Sequence, residues 1–376
     1  MNASSENIGL ALSGGGIRAM AFHSGVLRSL AHSNRLERVT EVSSVSGGSL
    51  FTGLIFALNG MKWPSSDEYL NSVHPKVLQL LTSKDLQNGA LWRLLLPNNW
   101  RYLLSRANVL SQAIEGCWRV NGNLGMLPNS PIWSINGTTA ETGRRFRFKQ
   151  DGCGDYELGY ADASNFSLAN AMAVSAAFPV GIGPFVISAE NLTWRRRKAW
   201  NAPKSETEVV SLPYPRLHLY DGGVYDNLGL EPLFDIGTRE LKSSANFIIV
   251  SDAGLPLARK SLVGPLSPFR VKRIMDISMD QTRALRIRAL SNHFQNTPNA
   301  GIYLQIGANP RERIKTYSSI NEKVASELLL LDWLDASDVA SIAKYPTTLH
   351  KLDMKDCNRI ERHGYETAVW NEKLFS

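Results

Sequence analysis

Ser46 stands in the run Ser44-Val45-Ser46-Gly47-Gly48, directly behind an apolar segment, and an earlier apolar segment, Ile8 to Leu12, runs into Ser13-Gly14-Gly15-Gly16-Ile17-Arg18. Residues of these types in this arrangement could carry out acyl transfer. Small neighbours allow a serine to sit on a sharp strand-to-helix turn with its hydroxyl exposed, as in the G-x-S-x-G elbow, here with Ser44 in place of the first glycine. A glycine loop that opens a helix turns successive backbone N–H groups toward an anion, which is an oxyanion hole in outline. The two segments read as two halves of a serine hydrolase site.

A third piece lies far downstream, in Leu217-His218-Leu219-Tyr220-Asp221-Gly222-Gly223-Val224-Tyr225-Asp226-Asn227. Here the chain resembles the patatin-like phospholipase family, whose members pair a serine with an aspartate from an Asp-Gly-Gly or Asp-Gly-Ala turn and need no catalytic histidine. The resemblance covers most of the chain. The Gly14 to Arg18 loop, the Ser46 elbow, Asn136-Gly137-Thr138-Thr139, the Ala171 to Pro184 stretch with Ser175-Ala176-Ala177-Phe178-Pro179, and the Asp221 segment follow the family's order. It implies Ser46 as nucleophile, Asp221 as the base that takes its proton, and Gly14, Gly15 and Gly16 as the oxyanion loop. Arg18 would steady that loop through backbone carbonyls or meet a lipid phosphate. A carboxylate base needs its pKa raised toward neutrality, and burial in an apolar cleft would do that.

Each motif has another reading. Gly14-x-Gly16-x-x-Ala19 after a strand also fits the dinucleotide fingerprint, which expects an acidic residue at the end of the second strand. Glu37 precedes that strand, and the strand ends in serines, so a ribose loses its anchor. Asp-Gly is also an ordinary turn pair. A histidine triad in the order serine, acid, histidine stays open, because His293, His350 and His363 all follow Asp221. Alanine at each of the three separates a triad from a dyad.

The elements that must position these residues can be read from pattern. With 376 residues, 43% hydrophobic and 20% charged, the chain can bury a large core. Apolar runs at Ile8 to Leu12, Val39 to Val42, Phe247 to Val250 and Ile302 to Ile306 read as buried parallel strands. They alternate with helical patterns at Ile17 to Ala31, Ser46 to Leu58, Ala169 to Phe178 and Val271 to Ser291. This predicts an α/β fold, a three-layer α/β/α sandwich on a mostly parallel sheet, with sites at the carboxyl ends of strands. We read residues 1–376 as one patatin-like domain with a helical C-terminal region over about 310–376 and a helical insertion over about 63–127. In that insertion, Leu91-Trp92-Arg93-Leu94-Leu95-Leu96 and Trp100-Arg101-Tyr102-Leu103-Leu104 suit a surface resting on a bilayer. The same helices would equally cover the sheet or form a contact between copies.

No run supplies the roughly 18 to 20 apolar residues of a membrane span, and the N-terminus lacks a secretory pattern. Cys117, Cys153 and Cys357 imply neither a disulfide framework nor a zinc site. The expectation is a cytoplasmic protein, peripheral at the inner membrane surface, without metal or other cofactor. A net charge of +7 favours anionic phospholipid. The basic runs Arg144 to Lys149, at strand spacing, and Trp194 to Trp200, read as a loop flanked by tryptophans, are the segments that would meet headgroups. No nucleic-acid-binding signature accompanies them. Oligomeric state stays open. So does a second function class, in which a nucleotide messenger or a partner gates the phospholipase, with Arg195 to Lys198 as a place for phosphate, or in which catalysis is lost and the protein only binds lipid or nucleotide.

Overall fold

In the computed structural model, residues 6–375 are described, apart from 104, 180, 200, 201, 204, 205, 243, 260, 263, 265, 266 and 268. Of the segments singled out above, residues 1–5, Leu104, Val180, Trp200 and Ser376 lie outside the described residues.

Strand β1 (Ile8–Leu12) is buried at every position and passes through the glycine loop into α1 (Gly16–His32). Strand β2 (Val39–Val45) then turns at Ser46 into α2 (Gly47–Leu58), which is apolar on nearly all sides and buried along most of its length. The insertion is helical, with α3 (Ser66–Glu68), α4 (His74–Ser83), α5 (Leu86–Leu94) and α6 (Ala107–Trp118). Next come β3 (Ile132–Thr139), β4 (Arg145–Lys149), β5 (Gly152–Asp155), β6 (Gly159–Ala161), α7 (Leu168–Ser175), β7 (Phe185–Ser188), β8 (Trp194–Arg197), β9 (Thr207–Val210) and β10 (Arg216–Asp221). The chain continues through α8 (Gly223–Asp226), a small hairpin of β11 (Phe234–Asp235) and β12 (Glu240–Leu241), β13 (Phe247–Asp252), α9 (Phe269–Asn296) and β14 (Gly301–Gln305). Four helices close it: α10 (Pro310–Thr316), α11 (Glu322–Leu329), α12 (Ala336–Ala343) and α13 (Met354–Phe375).

Strands β14-β13-β1-β2-β3 form a parallel sheet in that order, flanked by helices, as the alternating pattern predicts. Beyond β3 the sheet becomes antiparallel through β4, β5, β6, β8 and β9. Strand β3 serves two partners along one edge. Its first half pairs with β2 up to Val45 opposite Asn136, and where β2 turns away at Ser46, β10 takes over antiparallel, with Asp221 opposite Gly137. The other edge of β3 is held by β4. The ends of β2 and β10 therefore abut, and a serine and an aspartate far apart in sequence meet.

Helix α13 packs closely on α1. A Cβ on Gly25 would lie 1.9 Å from the Glu361 carbonyl oxygen, and one on Gly364 would lie 2.0 Å from that of Phe22. Leu352, Cys357, Ile360 and Ala368 belong to the same buried cluster as β1 and α1.

One expectation needs correcting. The basic segment from Trp194 is not a loop but strand β8, paired with β6 and β9. Trp194 is buried, its Nε1 donating to Ala189 O at 2.9 Å, so it cannot sit among headgroups. Strand alternation turns the indole inward and Arg195 to the opposite face, and both Arg195 and Arg196 are exposed.

Candidate active site

The elbow holds Ser46 at φ 50°, ψ −119°, a left-handed conformation that costs a non-glycine residue about 1–3 kcal/mol. Several bonds hold it there. Its amide donates to Ser175 Oγ at 3.0 Å and lies 3.1 Å from Ser175 O. Ser175 Oγ donates to Asn136 O at 2.7 Å, so the Ser49 hydroxyl, 2.8 Å away, must donate to Ser175. Ser44 then donates to Ser49 over 2.8 Å and accepts from Trp133 Nε1 at 2.8 Å. The row Trp133, Ser44, Ser49, Ser175, Asn136 thus has a single donor-to-acceptor sense, and it explains why a serine stands where the elbow pattern has glycine. Ser175→Ala would leave the Ser49 proton and the Asn136 carbonyl without partners. The expected cost is about 1–3 kcal/mol, read as a lowered urea midpoint, and an unchanged midpoint would mean that the row holds nothing in place.

Asp221 ends β10 in full burial. Its Oδ1 accepts from Gly223 N at 2.6 Å, and the Ser46 hydroxyl, which lines the same cleft, also favours the charged carboxylate. Loss of water around it outweighs both influences and raises its pKa to about 7. Thr138 Oγ1 donates to Asp221 O at 2.9 Å, tying the strand end to β3.

In the glycine loop the three residues differ. The Gly14 amide donates to Asn227 O at 3.0 Å, so it is not free to meet an oxyanion. Gly14 is small because a Cβ there would lie 2.4 Å from Asn227 Oδ1 and 3.1 Å from Ser46 Cβ. The amides of Gly15 and Gly16 have no hydrogen bond among the described residues and border the same cleft as Ser46. Gly16 has φ 62°, and a Cβ on it would meet Thr348 O at 2.4 Å.

Arg18 is fully buried and spent on carbonyls, donating from Nη2 to Ala253 O at 2.9 Å and from Nη1 to Tyr345 O. Burial lowers its pKa to about 10. It braces the loop from beneath and has no face left for a lipid phosphate. His23 does similar work: Nε2 donates to Ser13 O at 3.0 Å and Nδ1 accepts from Ser251 Oγ at 2.8 Å, and burial pushes its pKa down to about 4.

Ser46, Asp221 and the loop open on a cleft of about 700 Å³. Leu91 and Leu94 of α5, Val109 and Leu110 of α6, Phe178 and Ile182 line one side, and α9 walls the other with Lys272, Arg273, Asp276, Met279 and Arg283. Arg283 is tied to buried Asp252 at 2.5 Å and Lys272 to Asp276 at 2.8 Å. Arg106 and Arg273 also border the cleft and have no carboxylate partner among the described residues.

The late histidines stand elsewhere. His350 bonds Asp85 at the surface, His363 Nε2 accepts from Gly307 N at 2.9 Å in the core, and His293 packs on Phe234. None borders the cleft. Glu37, the candidate ribose ligand, accepts from Ser66 N and Oγ instead. Sequence reasoning missed the serine row, Asn227 and the α9 wall. Asn227 lay within the Asp221 segment, but nothing in its type or spacing announced a bond to Gly14.

A strained serine in one cleft with a buried carboxylate, beside two loop amides unpaired among the described residues, has the parts that a serine acyl hydrolase requires. The family model for patatin-like phospholipase matches residues 10–234, and the chain belongs to that family. No curated protein sequence matches the chain. Among solved structures, human GIVD cytosolic phospholipase A2 superposes with a TM-score of 0.55 at 14% identity, over 98% of this chain and 61% of that one. The same human protein in complex with methyl gamma-linolenyl fluorophosphonate gives 0.50 at 13% identity, over 97% and 57%. VipD from Legionella pneumophila gives only 0.29 at 12% identity, over 100% and 92%. At these identities the likeness to the human enzyme is one of fold, and this chain spans about three fifths of its length.

Proposed function

We propose that the chain is a serine-dependent lipid acyl hydrolase of the phospholipase A or lysophospholipase type, acting on glycerophospholipid from the cytoplasmic face of a membrane. The observation that carries this reading is the placement of Ser46 and Asp221 in one cleft at the abutting ends of β2 and β10, with burial bringing the Asp221 pKa to about 7. Ser46 Oγ attacks the ester carbonyl carbon while its proton passes to Asp221. The Gly15 and Gly16 amides stabilise the oxyanion, each such donor being worth about 3–4 kcal/mol. Asp221 returns the proton to the departing lysophospholipid oxygen, leaving an acyl-serine. Water then attacks, giving its proton to Asp221, and fatty acid leaves as the proton returns to Ser46. A long-chain alkyl fluorophosphonate should attach to Ser46 with loss of fluoride, mapped by peptide mass. Attachment elsewhere, or none while vesicle hydrolysis proceeds, would refute the assignment.

The membrane side of the proposal rests on two groups of exposed apolar side chains. Trp92, at 71% exposure, Leu95, Trp100 and Leu103 form one on the insertion. Phe269, Val271, at 70%, and Ile274 form the other on the first turns of α9. Both elements wall the cleft, and Arg106 and Arg273 between them suit an anionic headgroup. No helix among the described residues is long and apolar enough to cross a membrane. The double change Trp92→Asp, Ile274→Asp should weaken partition onto phosphatidylglycerol-containing vesicles at least about tenfold, because each large apolar side chain taken from water contributes about 1.5–3 kcal/mol. Hydrolysis of a dispersed short-chain ester should not change. Equal partition by a folded variant would sink this part of the reading.

A further inference from the structure

Strand β14 ends the sheet, with β13 on its inner side. Ile248 N donates to Ala300 O at 2.9 Å and Ile306 N to Asp252 O at 2.8 Å, so the even-numbered residues of this segment bond inward. Backbone groups alternate along a strand, and those of Gly301, Tyr303 and Gln305 therefore face outward. Gln305 O accepts from Ala308 N at 3.2 Å, while both groups of Gly301 and of Tyr303 and the Gln305 amide have no hydrogen bond among the described residues. Open edges are ordinarily protected by charge, proline or a covering element, but Gly301-Ile302-Tyr303-Leu304-Gln305 contains no charge and no proline.

A second cavity, about 760 Å³, runs along this edge and shares no lining residue with the catalytic cleft. Phe294, Tyr317, Trp370 and Phe375 give it aromatic walls, and Arg313 is the one charged residue among those described that line it. Among the described residues Arg313 has no carboxylate partner, and the buried Nε1 of Trp370 has no hydrogen-bond partner. The edge is recessed: Gly301, Tyr303 and Gln305 are each half-buried between α13 and the end of α9. A second copy presents an equally recessed edge, so two β14 strands cannot meet, whereas one extended chain can enter.

We propose that this groove takes an extended peptide segment bearing an acidic side chain. The peptide adds as a strand to β14, its carboxylate meets Arg313, and its alternate apolar side chains meet the aromatic walls. The Tyr303 hydroxyl bonds Asp252, which also holds Arg283 and the Gly254 amide of the cleft wall, so a strand laid here abuts the frame of the active site. The proposal does not depend on hydrolysis.

The test is binding of the full chain to a positional library of fluorescent heptapeptides with alternating apolar residues and a central glutamate, read by anisotropy. Selected peptides should lose at least about tenfold in affinity when the backbone amides facing β14 are N-methylated, and little when the alternate amides are. They should slow hydrogen exchange at Gly301, Tyr303 and Gln305 in the wild-type protein. Arg313→Glu should weaken the glutamate peptides and favour their lysine counterparts. No selection up to millimolar peptide, or binding indifferent to which amides are methylated, would overturn the proposal; the second result would mark the cavity as a small-molecule site instead.

Discussion

Ser46→Gly is expected to abolish fatty acid release and to make the protein more stable. At φ 50°, ψ −119° the serine occupies a conformation that glycine enters freely. Removing about 1–3 kcal/mol of backbone strain, against a loss of about 0.5–1 kcal/mol from the greater freedom of glycine in the unfolded chain, leaves a net gain of about 1 kcal/mol. The hydroxyl that would attack the ester is gone, and the rate should fall on the order of 10⁴-fold or more. Fatty acid release from mixed phosphatidylglycerol and phosphatidylcholine vesicles and the urea midpoint, measured on one preparation, decide both halves. A lower midpoint would mean that the elbow is not strained, and surviving release would remove Ser46 from the chemistry.

Asp221→Asn should cost about 10²- to 10⁴-fold in kcat/KM, the usual contribution of a positioned base, while keeping an acceptor for the Gly223 amide. In the wild type, kcat/KM should fall about tenfold per unit as pH drops below about 7, because the protonated carboxyl cannot take the serine proton. Stability moves oppositely. The unfolded chain gives up this proton near the ordinary value of 3.8, the folded chain only near 7, so between them the folded state binds more protons. The contribution of Asp221 to stability is therefore present in acid and is lost as pH rises through about 7. Asparagine carries no such dependence. The variant should gain on the wild type between pH 4 and pH 8 and hold a constant difference above that. Unfolding midpoints across this range check it, and parallel curves would mean that Asp221 titrates normally.

Much of this was legible in the sequence where the signal is local. Strands β1, β2, β13 and β14 announce themselves as apolar runs, and the serine elbow, the glycine loop and the Asp-Gly-Gly turn are each written in a few consecutive residues. What stayed hidden depends on partners distant in sequence. Ser44, Ser49 and Ser175 look like loop residues until each is seen to satisfy the next. Gly14, Gly15 and Gly16 read alike, yet Gly14 serves close approach while its neighbours keep free amides. Strands β5 and β6, as Gly152-Cys153-Gly154-Asp155 and Gly159-Tyr160-Ala161, are too short and glycine-rich for an alternating pattern. The pattern of α9 gave a helix, but not that its first half walls a cleft shared with the insertion.

Asp221 owes its affinity for a proton chiefly to the scarcity of water around it, and the cleft of about 700 Å³ in front of it is where water would gather or be expelled. On the mechanism proposed above, a short acyl tail would leave that space partly wet and the carboxylate a weaker base. A tail that fills it would complete the dryness, so that the substrate would help to tune the group that deprotonates its attacker. Tail length should then act on kcat as well as on KM, with selectivity exercised in the proton transfer rather than at the door.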